Sequence, residues 1–467
     1  MFSKSTYITR RSALLNSMKK RGQTGIILLM GNSEVARNYP SNGYPMRQDS
    51  SFLYYFGLSR HDLAATIDIE SGETTIFGDD YTLDDFIWMG VQPSVAAQSA
   101  EVGVEKSADY SSLTIFITKS NSQKRTIHFL PPYRAANKQR IADMLGISYH
   151  HVLQNASEEL IKSVVENREI KSEEEIMEMH RASDIGNAMH REAMRLCRIG
   201  ATEREIAGAM EGITLQYGAG VSFHSIVSQN GQTLHNHDHS GIITDGRLLL
   251  VDAGAESVLN YCSDNTRTLP SSGKFTPKQR DIYNIVYNAI KCGLSSVREG
   301  VTYQSVQKRV ALGMIEELIQ LGLMKGNAQD ALEAGAVAML MPHGLGHQIG
   351  LDVHDMEDLG ERFVGYNQVV ERSTTPGLSS LRMGKELFAG HCITVEPGIY
   401  FVPALIDKWQ SDGLCTDFIN YDKVREYLDF GGIRLENSIV VTKDGMVELG
   451  AQRPPLTINE VEDFMKD

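Results

Sequence analysis

Four carboxylate residues stand in stretches of sequence that otherwise have the composition of buried strands. They are Asp252 in RLLLVDAG, Asp264 in YCSDNTRT, Glu396 in GHCITVEPG and Glu436 in GGIRLENSIVV. Burying one ionised carboxylate without a partner is prohibitively costly, and burying several requires cations that they share. Each residue also has an ordinary interpretation. Asp252 could cap a turn, Glu396 could precede a Pro-Gly bend, and Glu436 could pair with Arg434. Together the four predict a fold whose strands carry a metal site.

A second feature is the stretch PHGLGHQIGLDVHD, residues 342–355, which is dense in titratable side chains. His343, His347 and His354 follow one another at spacings of four and seven residues. An unbroken helix would place them on one face, but three glycines in the stretch disfavour such a helix. The pattern predicts a loop that directs imidazoles towards one point. A glycine-rich surface turn with incidental histidines is the alternative.

The combination of four carboxylates with a histidine exceeds what one metal ion needs. It favours two divalent ions that share carboxylates, and manganese, cobalt, zinc and iron(II) are all chemically acceptable. The sequence has no HExxH motif, calcium-binding loop or cysteine quartet, and no GxGxxG, GxSxG or GxxxxGK[ST] motif. Because a paired metal site produces a hydroxide nucleophile at neutral pH, the pattern indicates a hydrolase.

Composition limits the partners and the compartment. The 467 residues are enough for two or three domains, and the net charge of -14 predicts neither a nucleic-acid nor a membrane partner. Five scattered cysteines without a CxxC pair favour free thiols in a reducing compartment. No apolar run approaches the length of a membrane span, so we expect a cytoplasmic protein.

The chain changes character near residue 165. Before it, TGIILLMG, AATIDIE, TTIFG, LTIFITK and TIHFLPP are predicted strands of an α/β domain, and YPMRQDSSFLYYFGL is interpreted as a core strand with packed aromatic side chains. After it, capping patterns predict helices that begin at Ser172, Thr202, Thr276 and Thr302. The charged run NREIKSEEE is the expected domain boundary.

Four motifs, DAG…SDNTRT, HGLGHQIGLDVHD, TVEPGIYF and GGIRLEN, occur in this order. In this arrangement the chain resembles the pita-bread metallopeptidases, specifically their prolidase and aminopeptidase P branch. The resemblance implies an α/β amino-terminal domain (1–165) and an α+β pita-bread catalytic domain (166–467) of the creatinase and methionine aminopeptidase type. It also implies a dinuclear, usually manganese-dependent exopeptidase that cleaves before proline, and dimerisation through the amino-terminal domains.

The resemblance assigns roles by position. The implied metal ligands are Asp252, Asp264, His347, Glu396 and Glu436, of which Asp264 and Glu436 bridge both ions. His354 corresponds to the histidine at the scissile carbonyl, His343 to a histidine that supports the ligands from the same loop, and His235 to a substrate-site histidine. Glu396 is also expected to move a proton to the leaving nitrogen. Arg267 and Arg434 are expected to position ligands or product.

The chain also departs from the family pattern. Asp252 and Asp264 are twelve positions apart, one more than the family usually has, which predicts a one-residue bulge between them. Asn437 stands where Asp is common, and we expect this exchange to matter little.

Two substrate classes remain open. A dipeptidase must bind the free carboxylate beside proline, and Arg382, fourteen residues before Glu396, corresponds to the arginine that prolidases use for this. This correspondence favours Xaa-Pro dipeptides over longer Xaa-Pro peptides, the substrates of aminopeptidase P. If Arg382 only pairs with Glu386 on the surface, the aminopeptidase interpretation is favoured. A metal-free binding module and a creatinase-type amidinohydrolase are less compatible with the five retained ligands.

Overall fold

The computed structural model describes residues 1–466, which form two compact units. The first comprises Met1–Arg168 with the segment Asp358–Phe363, and the second comprises Glu169–Glu357 with the residues from Val364 onwards. The domain boundary expected after residue 165 stays a prediction.

The first unit is built around a five-stranded sheet. Its strands are β1 (Ile26–Met30), β2 (Ala64–Asp68), β3 (Thr74–Phe77), β4 (Lys106–Ala108) and β5 (Ile127–Phe129). Its helices are α1 (Lys4–Lys20), α2 (Ser50–Phe56), α3 (Leu83–Met89), α4 (Val95–Glu101), α5 (Tyr110–Ser122), α6 (Ala135–Leu145) and α7 (Glu158–Arg168). The strand order is β4-β3-β2-β1-β5, with parallel pairs at both edges and antiparallel pairs between them. The expected α/β class of this domain is confirmed.

The aromatic segment around residues 52–56 was wrongly predicted to be a strand, because it forms helix α2. The Asp49 carboxylate caps the helix by accepting a hydrogen bond from the Phe52 amide at 2.8 Å, and Gly57 ends it in a left-handed conformation. All seven helix residues are buried, so the sequence carries no polar face that would reveal a helical period. The predicted aromatic packing is present, with the Phe52 and Phe56 rings 4.9 Å apart.

The segment LTIFITK was also wrongly predicted to be a strand, because it lies within helix α5. The helix buries Leu113 and Ile117, which are four residues apart on one face, whereas Ile115 between them is 69% exposed. Its β-branched residues favour a strand locally, but packing of the Leu113 and Ile117 face determines the helix.

The second unit combines helices with short strands. Its helices are α8 (Glu173–Leu196), α9 (Glu203–Tyr217), α10 (Pro277–Ser296), α11 (Tyr303–Gln320), α12 (Ala328–Glu333), α14 (Pro403–Ser411), α15 (Tyr421–Arg425) and α16 (Ile458–Phe464), and α13 (Glu361–Val364) begins in the segment counted with the first unit. Its strands are β6 (Gly220–Val221), β7 (Ile226–Ser228), β8 (Leu248–Ala253), β9 (Ala255–Glu256), β10 (Asn265–Pro270), β11 (Cys392–Val395), β12 (Gly398–Tyr400), β13 (Gly432–Arg434), β14 (Asn437–Val441) and β15 (Met446–Glu448). The expected α+β class is confirmed.

The four helix starts expected from capping patterns are confirmed. The side chains of Ser172, Thr202, Thr276 and Thr302 each accept a backbone hydrogen bond at the head of α8, α9, α10 and α11. The histidine-rich stretch at residues 342–355 forms a loop, as expected.

Two small antiparallel sheets, β7-β8-β10 and β11-β14-β15, carry the carboxylates, and bridges connect the segments beside them. Glu436 forms a bridge with Thr266 of β10, and Gln348 of the histidine loop forms one with Ile393 of β11. The histidine loop and both sheets are therefore tied together by backbone hydrogen bonds.

The bulge predicted between Asp252 and Asp264 is absent from the hairpin that the structure describes. Asp252 pairs with Thr266, and Glu256 forms a bridge with Cys262 farther along the hairpin. Between these two pairs, the two strands contain equal numbers of residues. Asp264 lies two positions before Thr266, and because side chains alternate along a strand it already shares a face with Asp252. The prediction was wrong because both aspartates point to the same side of the hairpin without an extra residue on either strand.

Candidate metal centre

A cavity of about 580 Å³ opens into the second unit, and every site residue predicted from the sequence except Arg267 lines it. These residues are His235, Asp252, Asp264, His343, His347, His354, Arg382, Glu396, Arg434 and Glu436. Residues from distant parts of the chain therefore meet at one place. Arg267 is buried outside the cavity wall, where its Nη1 donates to the Glu436 carbonyl at 2.7 Å.

Strand ends place the four carboxylates in the cavity wall. Asp252 lies near the end of β8, Asp264 directly precedes β10, Glu396 directly follows β11, and Glu436 lies between β13 and β14. Asp252, Asp264 and Glu436 are buried, and Glu396 is partly accessible from the cavity. Because short strands of two sheets end here, the acidic side chains converge without a long loop.

The innermost group consists of Asp264, His347 and Glu436, whose ligand atoms lie within 4.8 Å of one another. His347 Nε2 is 3.4 Å from Asp264 Oδ2 and 3.6 Å from Glu396 Oε1. Asp252 Oδ1 and Asp264 Oδ1 are buried without a hydrogen-bond partner among the described residues. Unpartnered carboxylate oxygens beside an imidazole nitrogen are a donor set that fits divalent cations.

The electrostatics of the protein alone disfavour the ionised forms of these carboxylates. Burial raises the pKa of Asp264 well above its ordinary value, and the negative charges of Asp252 and Glu396 raise it further. Burial likewise raises the pKa of Glu436, with Asp264 as the next cause. Bound cations would remove this repulsion and hold the carboxylates ionised.

The local structure of the histidine loop orients His347. Its Nδ1 donates to the Gln348 carbonyl at 2.9 Å, which leaves the Nε2 lone pair directed towards the carboxylates. Burial lowers the pKa of His347, which favours the neutral ligand form. The preceding Gly346 has no room for a side chain, because a Cβ would lie 2.1 Å from the Thr394 carbonyl oxygen.

A chain of hydrogen bonds links Arg434 to His343 behind the carboxylates. Arg434 Nη1 donates to the Tyr400 hydroxyl at 2.8 Å, and that hydroxyl lies 2.8 Å from His343 Nε2. His343 Nδ1 donates to the Gly344 carbonyl, also at 2.8 Å, so its Nε2 accepts from Tyr400. Burial lowers the pKa of His343 to about 4, consistent with this neutral form. Protein groups therefore engage both nitrogens of His343.

Arg434 also holds two of the carboxylates, Asp252 directly and Glu436 through Thr266. Its Nη2 donates to Asp252 Oδ2 at 2.5 Å, and its Nε donates to the Thr266 hydroxyl at 3.2 Å. That hydroxyl in turn donates to Glu436 Oε2 at 2.7 Å. Arg434, which the sequence suggested as a residue for ligands or product, is thus placed to orient Asp252 and, through Thr266, Glu436.

The outer part of the cavity contains His354, Arg382 and His235. The His354 ring lies beside His347, with ring centroids 3.9 Å apart, and its Nδ1 is 2.5 Å from Glu357 Oε2. Arg382 forms a salt bridge with Glu357 rather than with Glu386, its expected surface partner. His235 is an exposed residue of the cavity wall.

Sequence reasoning missed Tyr400, Thr266 and Glu357 as members of the site. Tyr400 stood in the quoted motif TVEPGIYF and Thr266 in SDNTRT, so membership of a motif was the available signal. Glu357 follows His354 by three residues, a spacing too common to indicate a contact in a loop.

The comparisons with known proteins agree with this geometry. Residues 177–443 match the model of metallopeptidase family M24, and residues 7–128 match the aminopeptidase P amino-terminal domain. The chain is 30% identical over 475 residues to Xaa-Pro dipeptidase from Rattus norvegicus, covering 98% of this chain and 93% of that protein. It is also 30% identical over 453 residues to a probable Xaa-Pro aminopeptidase of Metarhizium acridum, covering 91% and 87%.

A solved structure of Escherichia coli aminopeptidase P has a TM-score of 0.79 and 27% identity, with 100% of this chain and 98% of that chain covered. The family match, together with an aligned fold over the whole length, accounts for both the pita-bread architecture and the convergence of carboxylates and histidine in one cavity. The chain therefore belongs to metallopeptidase family M24, and it carries an amino-terminal domain of the aminopeptidase P type.

Proposed function

We propose that this metallopeptidase is an Xaa-Pro dipeptidase. The observation that carries the proposal is the position of Arg382, whose side chain is 39% exposed and lines the same cavity as the four carboxylates. A guanidinium is well suited to bind the free carboxylate of a dipeptide's proline, since it offers paired donors in a planar fork. The dipeptidases among the relatives support the same substrate class.

The alternative is an Xaa-Pro aminopeptidase acting on longer peptides. The salt bridge between Arg382 and Glu357 favours it, because a guanidinium that already has a carboxylate partner attracts a second one less strongly. Probable Xaa-Pro aminopeptidases among the relatives and the structural likeness to aminopeptidase P support it as well.

We further propose that the cavity holds two divalent ions, with manganese as the native metal and cobalt, zinc or iron as possible substitutes. The ligands would be Asp252, Asp264, His347, Glu396 and Glu436, which all line the cavity. When bound, such ions supply Lewis acidity and activate water for attack on the scissile carbonyl.

The side chains around these ligands would carry the remaining chemistry. Glu396 is the most accessible of the four carboxylates, which suits it to pass a proton to the proline nitrogen as the bond breaks. His354 would contact the scissile carbonyl group, and His235, which lines the same cavity, would contact the substrate. Arg434 and His343 would keep the ligands in place through Asp252 and Tyr400.

We propose that the protein is a cytoplasmic homodimer that associates through its amino-terminal domain. Helix α3 supports the interface, since Leu83, Ile87 and Trp88 on this short helix are each more than 70% exposed. Five free cysteines support a reducing compartment. No helix among the described residues is long and apolar enough to cross a membrane.

The deciding experiment compares Ala-Pro with Ala-Pro-Ala as substrates of the manganese-loaded enzyme. Release of amino-terminal alanine is followed for the natural protein and for Arg382→Ala. A dipeptidase cleaves Ala-Pro much faster, and the variant loses that preference. Cleavage of Ala-Pro-Ala at least as fast, with the variant unaffected, would establish the aminopeptidase instead.

A further inference from the structure

Glu357 contacts two residues of the cavity wall, His354 and Arg382. Its Oε2 lies 2.5 Å from His354 Nδ1, and its Oε1 contacts Nη1 of Arg382. Both partners line the cavity, whereas Glu357 does not belong to its wall. The Glu357 carboxylate therefore contacts two cavity residues, one through each of its oxygens.

The chemistry of these contacts defines the state of both partners. An ionised carboxylate only accepts hydrogen bonds, so Nδ1 of His354 must be the donor and carry a proton. The salt bridge likewise restricts the guanidinium of Arg382.

We propose that Glu357 is a positioning residue that determines substrate length, by holding Arg382 and His354 as one unit. When Arg382 binds the free carboxylate of a dipeptide, the Arg382 side chain is fixed in place. Glu357, which contacts both residues, then holds the His354 imidazole at the scissile bond. A longer peptide has no carboxylate beside its proline, so it does not bind Arg382 through such a group and does not position the His354 imidazole through Glu357. This inference rests on the proposed dipeptidase function.

The surroundings of Glu357 argue against a role in folding alone. Its side chain is 35% exposed, and it begins a single 3₁₀ turn, Glu357–Leu359. Removing a half-exposed side chain from such a turn has little effect on stability. A displacement of the imidazole has a large effect on rate, because catalysis depends on the geometry of groups at the reacting bond.

The kinetic test uses Glu357→Ala, Glu357→Gln and Arg382→Ala, with Glu386→Ala as the matched control. Glu386 is an exposed glutamate of the segment that carries Arg382, and it does not line the cavity. We expect Glu357→Ala to lower kcat for Ala-Pro by about 10-fold to 100-fold, a usual cost of losing the partner of an active-site group. The loss for Ala-Pro-Ala should be several-fold smaller. Glu357→Gln keeps one acceptor oxygen and should recover part of the rate.

The coupling itself is tested by the double variant Glu357→Ala with Arg382→Ala. If Glu357 acts through Arg382, the two substitutions are non-additive, and the second adds no further loss of dipeptide preference. Equal losses for both substrates, or additive effects in the double variant, would overturn the proposal.

A second readout does not depend on activity. Nitrogen-15 NMR of histidine-labelled, zinc-loaded protein reports which ring nitrogen of His354 carries the proton, with the signal assigned by its absence in His354→Ala. We expect a protonated Nδ1 in the natural protein and in the Glu386→Ala control, and a changed tautomer population in Glu357→Ala. An unprotonated Nδ1 in the natural protein would overturn the proposal. If Ala-Pro is not cleaved at all, the dipeptidase function fails, and the NMR result still decides whether Glu357 holds His354.

Discussion

Arg434 donates to Asp252 across the wall of the cavity, and both side chains are almost fully buried, at 4% and 11% exposure. Arg434 is the only arginine that forms a salt bridge with one of the four cavity carboxylates among the described residues. Its other donors reach Tyr400 and Thr266, so the guanidinium neutralises one ligand and orients its neighbours.

Replacing Arg434 by Met should therefore destabilise the protein strongly. Met has similar length but leaves the Asp252 carboxylate and the Tyr400 hydroxyl without their donor. Breaking a buried ion pair from one side costs about 3–5 kcal/mol, and we expect this decrease in the free energy of unfolding in urea after chelation of metals. The control is Arg195→Met, whose pair with Glu192 lies at the surface and contributes little to stability. Equal effects of the two substitutions would contradict the role of Arg434 as the buried ion-pair partner of Asp252.

Removal of metal should make stability depend on pH in a defined direction. Burial and mutual repulsion raise the pKa values of Asp264 and Glu436 in the metal-free folded state. The folded state then binds more protons than the unfolded state between the ordinary carboxyl pKa of about 4 and the raised values. Stability should consequently fall as pH rises through this window, so chelated protein melts at a lower temperature at pH 8 than at pH 5.

Addition of metal should reverse this trend, because bound cations favour the ionised carboxylates. Asp264→Asn serves as the control for chelated protein, since an amide does not titrate and the pH dependence should become shallower. Melting temperatures followed by circular dichroism across the pH range would measure both effects. A chelated protein that is more stable at pH 8 than at pH 5 would refute the expectation.

Local signals explain what could be predicted from the sequence. The capping residues Ser172 and Thr202 act within one helical turn, so their helices were predictable from neighbouring residues alone. The buried carboxylates were predictable because an acidic residue such as Asp252 in an apolar strand is costly wherever the strand packs. These signals were sufficient to identify carboxylates that the fold brings together in one cavity.

What could not be predicted depends on contacts between distant segments. Helix α2 contains Phe52 and Tyr55 in a run that is buried on all sides, so its period is invisible in the sequence. The pairing of Glu357 with Arg382 joins residues 25 positions apart, and the sequence offered Glu386 as an equally reasonable partner. The hairpin register of Asp252 with Thr266 likewise follows from strand pairing, whereas comparison of the spacing with the family pattern suggested a bulge that is absent.

The exposed apolar face of α3 provides the test of the proposed homodimer. The helix has no buried residue, and its apolar side chains Ile87 and Trp88 are 71% and 80% exposed. A folded monomer gains nothing from such exposure, whereas a second copy would remove this apolar surface from water. We expect Ile87→Ser with Trp88→Ser to shift the protein from dimer to monomer in sedimentation velocity, with unchanged circular dichroism.

The control for this substitution is Leu215→Ser, which removes a comparably exposed apolar side chain from α9 in the other unit. Both proteins lose apolar surface, but only the α3 variant should dissociate at micromolar concentration. Because a symmetric interface repeats each residue on both copies, the double substitution removes four apolar side chains at once. A natural protein that sediments as a monomer, or an α3 variant that remains dimeric, would exclude this face as the interface.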